Sequence, residues 1–180
     1  MSKKVATIIS RIFDPFIMLG VVFVVLLSHT SVFIPAFICM VVLPFVLYVA
    51  AVKTKLVSNY DMSDRRERPK ILWFLVVIET VCFVAFHLWS MLPILIAIIG
   101  FAVMTHFWKI SGHAMGAALA TGIIVARFGW AWWPFLLIVP LVGWARVVRR
   151  DHTIMQVIAG AAYSWILLAV FDYWIIGSIG

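Results

Sequence analysis

Residues 71–108 read ILWFLVVIETVCFVAFHLWSMLPILIAIIGFAVMTHFW. Across this stretch the only charged or imidazole side chains are Glu79, His87 and His106. A helix that crosses a bilayer needs about 20 apolar residues in a row. The stretch is therefore long enough for two crossings, with a break expected at His87–Pro93, where histidine and proline gather. A soluble core helix has no use for so long an apolar run, so this segment decides the fold class.

Toward the C-terminus the pattern repeats. KISGH (109–113) is followed by an apolar span from Ala114 to Phe128, a turn at GWAWWP (129–134) and a span from Phe135 to Val148. RRDH (149–152) then precedes a last span from Thr153 to Ile176. Toward the N-terminus lies the only long hydrophilic segment, KTKLVSNYDMSDRRERPK (53–70). Before it come a span from Val32 to Val52 with Pro35 and Pro44, a polar turn SHTS (28–31) and a span from Pro15 to Ser28. Residues 3–13, KKVATIISRIF, alternate charge with apolar side chains as a helix lying on a membrane surface would. No cleavable leader is expected, because no small-residue cleavage site follows the first apolar run.

The expectation is an all-α, polytopic transmembrane bundle of six to seven spans. Residues 1–180 form one membrane-embedded domain, with residues 1–14 as an interfacial helix and 53–70 as a polar loop. Composition agrees: 66% of the chain is hydrophobic, against about 45–50% for soluble domains. Cys39 and Cys82 lie inside apolar runs and read as buried thiols, not as a disulfide. Tryptophans 89, 108, 130, 132, 133 and 174 fall near predicted span ends, as interfacial belts require.

The net charge of +7 reflects 14 Lys+Arg against 7 Asp+Glu. The basic residues border apolar spans, which suits lipid headgroups or a phosphorylated substrate and argues against nucleic acid. With seven spans, the N-terminus, the 53–70 loop, KISGH and RVVRRDH share one face. That face holds 13 of the 14 Lys+Arg, with Arg127 the exception. By the positive-inside rule it is the cytoplasmic face of the inner or cell membrane.

Ionisable groups near lipid are expensive, at about 2.5–3.5 kcal/mol each at a helix centre. Those at these helix starts therefore invite a chemical reading. KISGH opens a helix, whose backbone N–H groups and dipole favour an anion. RVVRRDH opens another and adds three arginines, whose forked guanidinium groups match phosphate oxygens. Two histidines, His113 and His152, can then divide phosphoryl transfer, one attacking phosphorus and the other protonating the leaving oxygen. Small residues recur at Gly112, Gly116 and Ala120, and polar or small ones at Gln156, Gly160 and Ser164. If those two faces meet, both histidines share one pocket. His29, His87 and His106 read as interfacial or packing residues.

Arg68-Pro69, Ser111-Gly112-His113 and Arg146-x5-His152 together resemble the type-2 phosphatidic acid phosphatase (PAP2) superfamily of membrane lipid phosphatases. Its motifs are Lys-x6-Arg-Pro, Pro-Ser-Gly-His and Ser-Arg-x5-His-x3-Asp, and order and spacing match over about residues 61–160. The resemblance implies that His152 is the nucleophile that becomes phosphohistidine and that His113 is the general acid. It implies that Arg68 and Arg146 hold phosphate oxygens, helped by Ser111 and the Gly112 amide, with no metal and no cofactor.

The chain departs from the motifs at four positions. Asp61 stands where the first motif has lysine, and Arg65 or Lys109 would supply that cation. Ile110 replaces proline, and Ala145 replaces serine. Gln156 replaces the aspartate that steadies the nucleophile; its amide oxygen would accept an N–H bond but brings no charge. A replacement carboxylate would come from Asp14 or Glu79.

The implied activity is hydrolysis of a lipid phosphate such as phosphatidic acid, phosphatidylglycerol phosphate or a polyprenyl phosphate or diphosphate. Two other readings use the same residues. One is a lipid-binding membrane protein that keeps the fold without the reaction. The other is a Mg²⁺-dependent prenyltransferase built on the acidic residues of NYDMSDRRERP.

Overall fold

The structure is a computed structural model that describes residues 3–60 and 66–171. In chain order its α-helices are α1 (Lys3–Ile12), α2 (Pro15–Leu27), α3 (Phe33–Phe37), α4 (Leu43–Lys53), α5 (Arg68–Ala85), α6 (Leu92–Phe107), α7 (Gly112–Phe128), α8 (Ile138–Val148) and α9 (Ile154–Val170). Among the described residues there is no strand. Among the described residues, four helical runs are long and apolar enough to cross a membrane: Lys3–Leu27, Phe33–Lys53, Trp89–Phe107 and Trp130–Val148. α7 and α9 are shorter apolar helices. Ile34, Val77, Val81 and Ile166 are each more than half exposed, a distribution that water would penalise and hydrocarbon does not. The chain is an integral membrane protein with a polytopic helical fold.

The helices fall into two compact units, residues 1–28 with 110–180 and residues 29–109. In the first, α7 packs against both α2 and α9, and α1 and α7 each pack on α8. Its core is built from Ala117, Ala118, Val139, Val142 and Ala161, with Ile9, Phe13 and Ile138 against it. The N-terminal segment expected as an interfacial helix is helical, as α1. It buries Ala6 and Ser10 and keeps Ile8 and Ile12 exposed. It stops at Phe13 because Asp14 and Pro15 start a new helix: the Asp14 carboxylate accepts the Phe16 N–H at 2.9 Å, and Pro15 takes a first-turn position.

The GWAWWP segment, read above as a turn, is instead a 3₁₀ helix over Trp130–Leu137 that runs straight into α8. Pro134 inside it cannot continue an α-helical ladder, and the tighter coil accommodates the missing N–H. α7 ends just before it at Gly129, whose φ of +90° is open to glycine alone among common residues.

In the second unit α5 and α6 pack together around Leu72, Val76 and Ala102. α3 and α4 are joined by one π-helical segment, Ile38–Val42, in which the Leu43 N–H reaches back to Ile38 O. The widened turn falls just before Pro44, whose ring would otherwise press on the carbonyl four residues earlier. The break near His87 is real: α5 ends at Ala85, His87 adopts φ +52°, and a 3₁₀ turn at Trp89–Met91 leads into α6. Around the polar loop, Ser58 donates both its N–H and its hydroxyl to Glu67 Oε2, each at 3.0 Å, and the Tyr48 hydroxyl donates to Tyr60 O.

Candidate active site

α7 and α9 supply the frame, and each has a built start. Ser111 is the N-cap of α7, its Oγ accepting the Ala114 N–H at 3.3 Å. Thr153 is the N-cap of α9. Its hydroxyl accepts the Gln156 N–H at 3.3 Å, and Gln156 Oε1 accepts the Thr153 N–H at 3.1 Å. This reciprocal pair is a capping box.

The two starts are joined directly. The Ser111 N–H donates to Gln156 O at 3.1 Å, and one turn further on the Ser164 hydroxyl donates to Met115 O at 2.8 Å. Between these bonds sits Gly160. A β-carbon there would lie 2.5 Å from Ser111 O, so only glycine lets the helices approach this closely. Two positive helix ends therefore stand side by side, each 17 residues long. His113 lies in the first turn of α7, and His152 precedes the cap of α9 with 6% of its surface exposed.

Arg146 comes from the last turn of α8 and is 1% exposed. Beyond α8 the chain reverses through Arg150, at φ +64°. The N–H groups of Asp151 and His152 both return to Arg146 O, at 3.1 and 3.4 Å. The Asp151 Oδ2 lies 3.0 Å from Arg146 Nη2 and accepts from Arg149 Nε at 2.7 Å. One carboxylate thus stands between two guanidinium groups, which offsets the burial of the Arg146 charge.

Ser111, Gly112, His113, Arg146, His152 and Gln156 belong to one unit and gather at the joined helix starts. Arg68 is buried at the head of α5, and it and Lys109 belong to the other unit. Arg65 and Asp61, like Trp174, lie outside the described residues.

Two expectations change. Gln156 was expected to accept an N–H bond from the nucleophilic histidine, but its amide oxygen is committed to the Thr153 N–H. The pattern Thr-x-x-Gln carries that signal in the sequence. Gly116 was expected to face α9. A β-carbon there would instead lie 3.5 Å from Pro15 Cα and from Met18 Cβ of α2. Of the two stripes, it is Gly160 and Ser164 of α9 that meet α7. Asp151 was not among the candidate site residues, although its place beside three arginines was an available clue.

The capping box can be weighed by substitution. Thr153→Ala and Gln156→Ala are each expected to lower unfolding stability by about 1 kcal/mol. The double variant should lose less than the sum, because each change disables the same reciprocal pair. Denaturant titration in detergent, followed by tryptophan fluorescence, reads this directly; full additivity would show that the two bonds act separately.

A groove of about 430 Å³ lies further along the same helix pair, lined by Gly122, Val125, Ala126, Leu136, Trp165, Leu168 and Ala169. It has no titratable lining and takes no part in the chemistry at the helix starts.

Over 56 residues the chain is 41% identical to the lipid A 4'-phosphatase of Helicobacter pylori, a match covering 31% of this chain and 28% of that protein. The chain thus matches less than a third of that relative's length. No protein-family model and no solved structure matches.

Proposed function

We propose that the protein is a membrane phosphatase of the PAP2 type, hydrolysing a lipid phosphate through a phosphohistidine on His152. The observation that carries this reading is the pair of joined helix starts. His113 stands in the first turn of α7, and the His152 N–H bonds to Arg146 O just ahead of α9, at helix ends whose backbone N–H groups and dipoles favour an anion. The partial likeness to a lipid A phosphatase and the resemblance of the three motifs support it.

The chemistry balances without further groups. A lone pair of the His152 imidazole forms an N–P bond as the P–O bond to the lipid breaks. The departing oxygen keeps that electron pair and takes a proton from His113 imidazolium. A water molecule then gives its proton to His113 while its oxygen attacks phosphorus, and the N–P pair returns to His152. Arg146, with the N–H groups at the head of α7, holds the non-bridging oxygens through both steps. A lipid substrate suits a site whose supports are membrane helices: the head group reaches the polar ends while the tails stay in hydrocarbon.

The test is phosphate release by purified protein in detergent with excess EDTA, from phosphatidic acid, phosphatidylglycerol phosphate, a polyprenyl diphosphate and lipid A. Release that persists under EDTA, with an acid-labile phosphoryl group trapped on the protein, is expected. Release of diphosphate, and not phosphate, from the polyprenyl diphosphate, appearing only when Mg²⁺ and a prenyl acceptor are added, would move the protein to the prenyltransferase class of reaction. Folded protein that binds these lipids and releases nothing would make it a lipid-binding relative.

A further inference from the structure

The turn from α8 into α9 is short and closely bonded. The Arg150 N–H returns to Val147 O at 2.9 Å, and the Asp151 N–H returns to Arg146 O at 3.1 Å. These are the two bonds of a Schellman ending, and Arg150, at φ +64°, holds the left-handed position that glycine usually takes. The His152 N–H also reaches Arg146 O, at 3.4 Å. Side chains close a second connection across the same turn. Asp151 Oδ2 lies 3.0 Å from Arg146 Nη2 and accepts from Arg149 Nε at 2.7 Å. Asp151 thus grips Arg146 twice, with its N–H at the carbonyl and with its carboxylate at the guanidinium.

His152 follows Asp151 directly. The guanidinium of Arg146 is therefore tied to the backbone that carries the nucleophile. An arginine side chain loses much rotamer freedom when it is fixed, and fixing it before the substrate arrives removes that cost from binding. The clamp also has a drawback, because a carboxylate beside a phosphate repels it. Arg149 answers this. The two guanidinium charges less the one carboxylate leave a sum of +1, whereas Arg146 and Asp151 alone would sum to zero.

We propose that Asp151 is the positioning residue for Arg146, fixing its guanidinium against His152, and that Arg149 supplies the charge that keeps the clamp attractive to phosphate. This rests on the phosphatase reading above, in which Arg146 holds the non-bridging oxygens. Asp151 then gives up affinity for the bound phosphate in exchange for alignment in the transition state. No proton or bond passes between Asp151 and the substrate.

The test compares lipid phosphate turnover with the Kd for inorganic phosphate, measured by calorimetry on purified protein in detergent. Asp151→Asn keeps the size of the side chain and raises the sum to +2. It is expected to lower kcat about tenfold or more, while KM and the phosphate Kd both fall about threefold or more. Arg149→Gln brings the sum to zero and should raise the phosphate Kd about tenfold. The double variant returns the sum to +1. Its phosphate Kd should come back to within about threefold of wild type while kcat stays as low as in Asp151→Asn, a split that a merely structural role would not produce. Recovery of kcat together with affinity in the double variant overturns the proposal, as does folded Asp151→Asn with unchanged kcat and KM. If Asp151→Asn does not fold, Asp151→Glu carries the test: the sum stays at +1, so the phosphate Kd should hold within about threefold while the displaced guanidinium lowers kcat. Unchanged kcat in that variant overturns the proposal as well. If no protein hydrolyses a lipid phosphate but the phosphate constants change in the stated order, the charge arrangement around Arg146 stands and the phosphatase reading falls.

Discussion

His152→Ala is expected to stop phosphate release, with a loss of about 10⁴-fold or more and no phosphoryl group trapped on the protein. The magnitude follows from the role. A nucleophile cannot be partly replaced by its neighbours, and water attacking directly would have to reach a phosphorus atom shielded by the lipid. The fold should survive the change. His152 sits in the reversal between α8 and α9, outside both helices, and its backbone bond to Arg146 O does not depend on the side chain. His113→Ala should give a different signature. With an aryl phosphate, whose leaving oxygen needs little protonation, His152 should still be phosphorylated in a burst. Turnover should then stall, because no base remains to activate water. Equal losses at both steps for the two variants would show that the histidines do not divide the work as proposed.

Gly160→Ala is the second large effect, and it acts through one added carbon. The new β-carbon would stand 2.5 Å from Ser111 O and 3.4 Å from both Ser111 C and Met115 N. All three are backbone atoms, so no side chain can rotate away. α9 must shift from α7 by about 1 Å, straining the Ser111–Gln156 and Ser164–Met115 bonds that join the helix starts. Overpacking of this kind costs about 1–3 kcal/mol. The activity should fall further than the stability suggests, by about 10²-fold, because a 1 Å displacement of groups that must act together is enough for that. Gly116→Ala provides the control. Its β-carbon would meet α2 at 3.5 Å, an ordinary contact, so it should change stability by less than about 1 kcal/mol. Equal behaviour of the two variants in thermal unfolding and phosphate release would remove Gly160 from its place as the spacer of the site.

The helices were legible because the bilayer makes the pattern simple: long apolar runs, interrupted where Asp14-Pro15, His87–Pro93 and Gly129 stop them. The polar clusters at the helix starts were legible too, since lipid leaves few other reasons to put Ser111, His113 and Arg146 there. Direction was harder to read. Gly116 and Gly160 carry the same small-residue signal, and nothing in their spacing tells that one meets α2 and the other α7. Gln156 had two possible duties, and the local one prevailed because Thr153 is three residues away with fixed geometry. The 3₁₀ course of Trp130–Leu137 depended on how Pro134 is accommodated, which periodicity does not report. Asp14 is recognisable as a helix cap in the sequence, but its burial comes from the packing of α2 on α7, a contact between residues some hundred positions apart.

The joined starts of α7 and α9 have a kinetic consequence if lipid phosphate is the substrate. A site set at the polar ends of two membrane helices meets its substrate by lateral diffusion in the bilayer, not by collision from solution. Its rate should then follow the mole fraction of substrate among the surrounding lipids or detergent. At constant total substrate, adding inert detergent should slow the reaction, whereas adding it at constant mole fraction should leave the rate per protein unchanged. For such a substrate the Michaelis constant is a surface density.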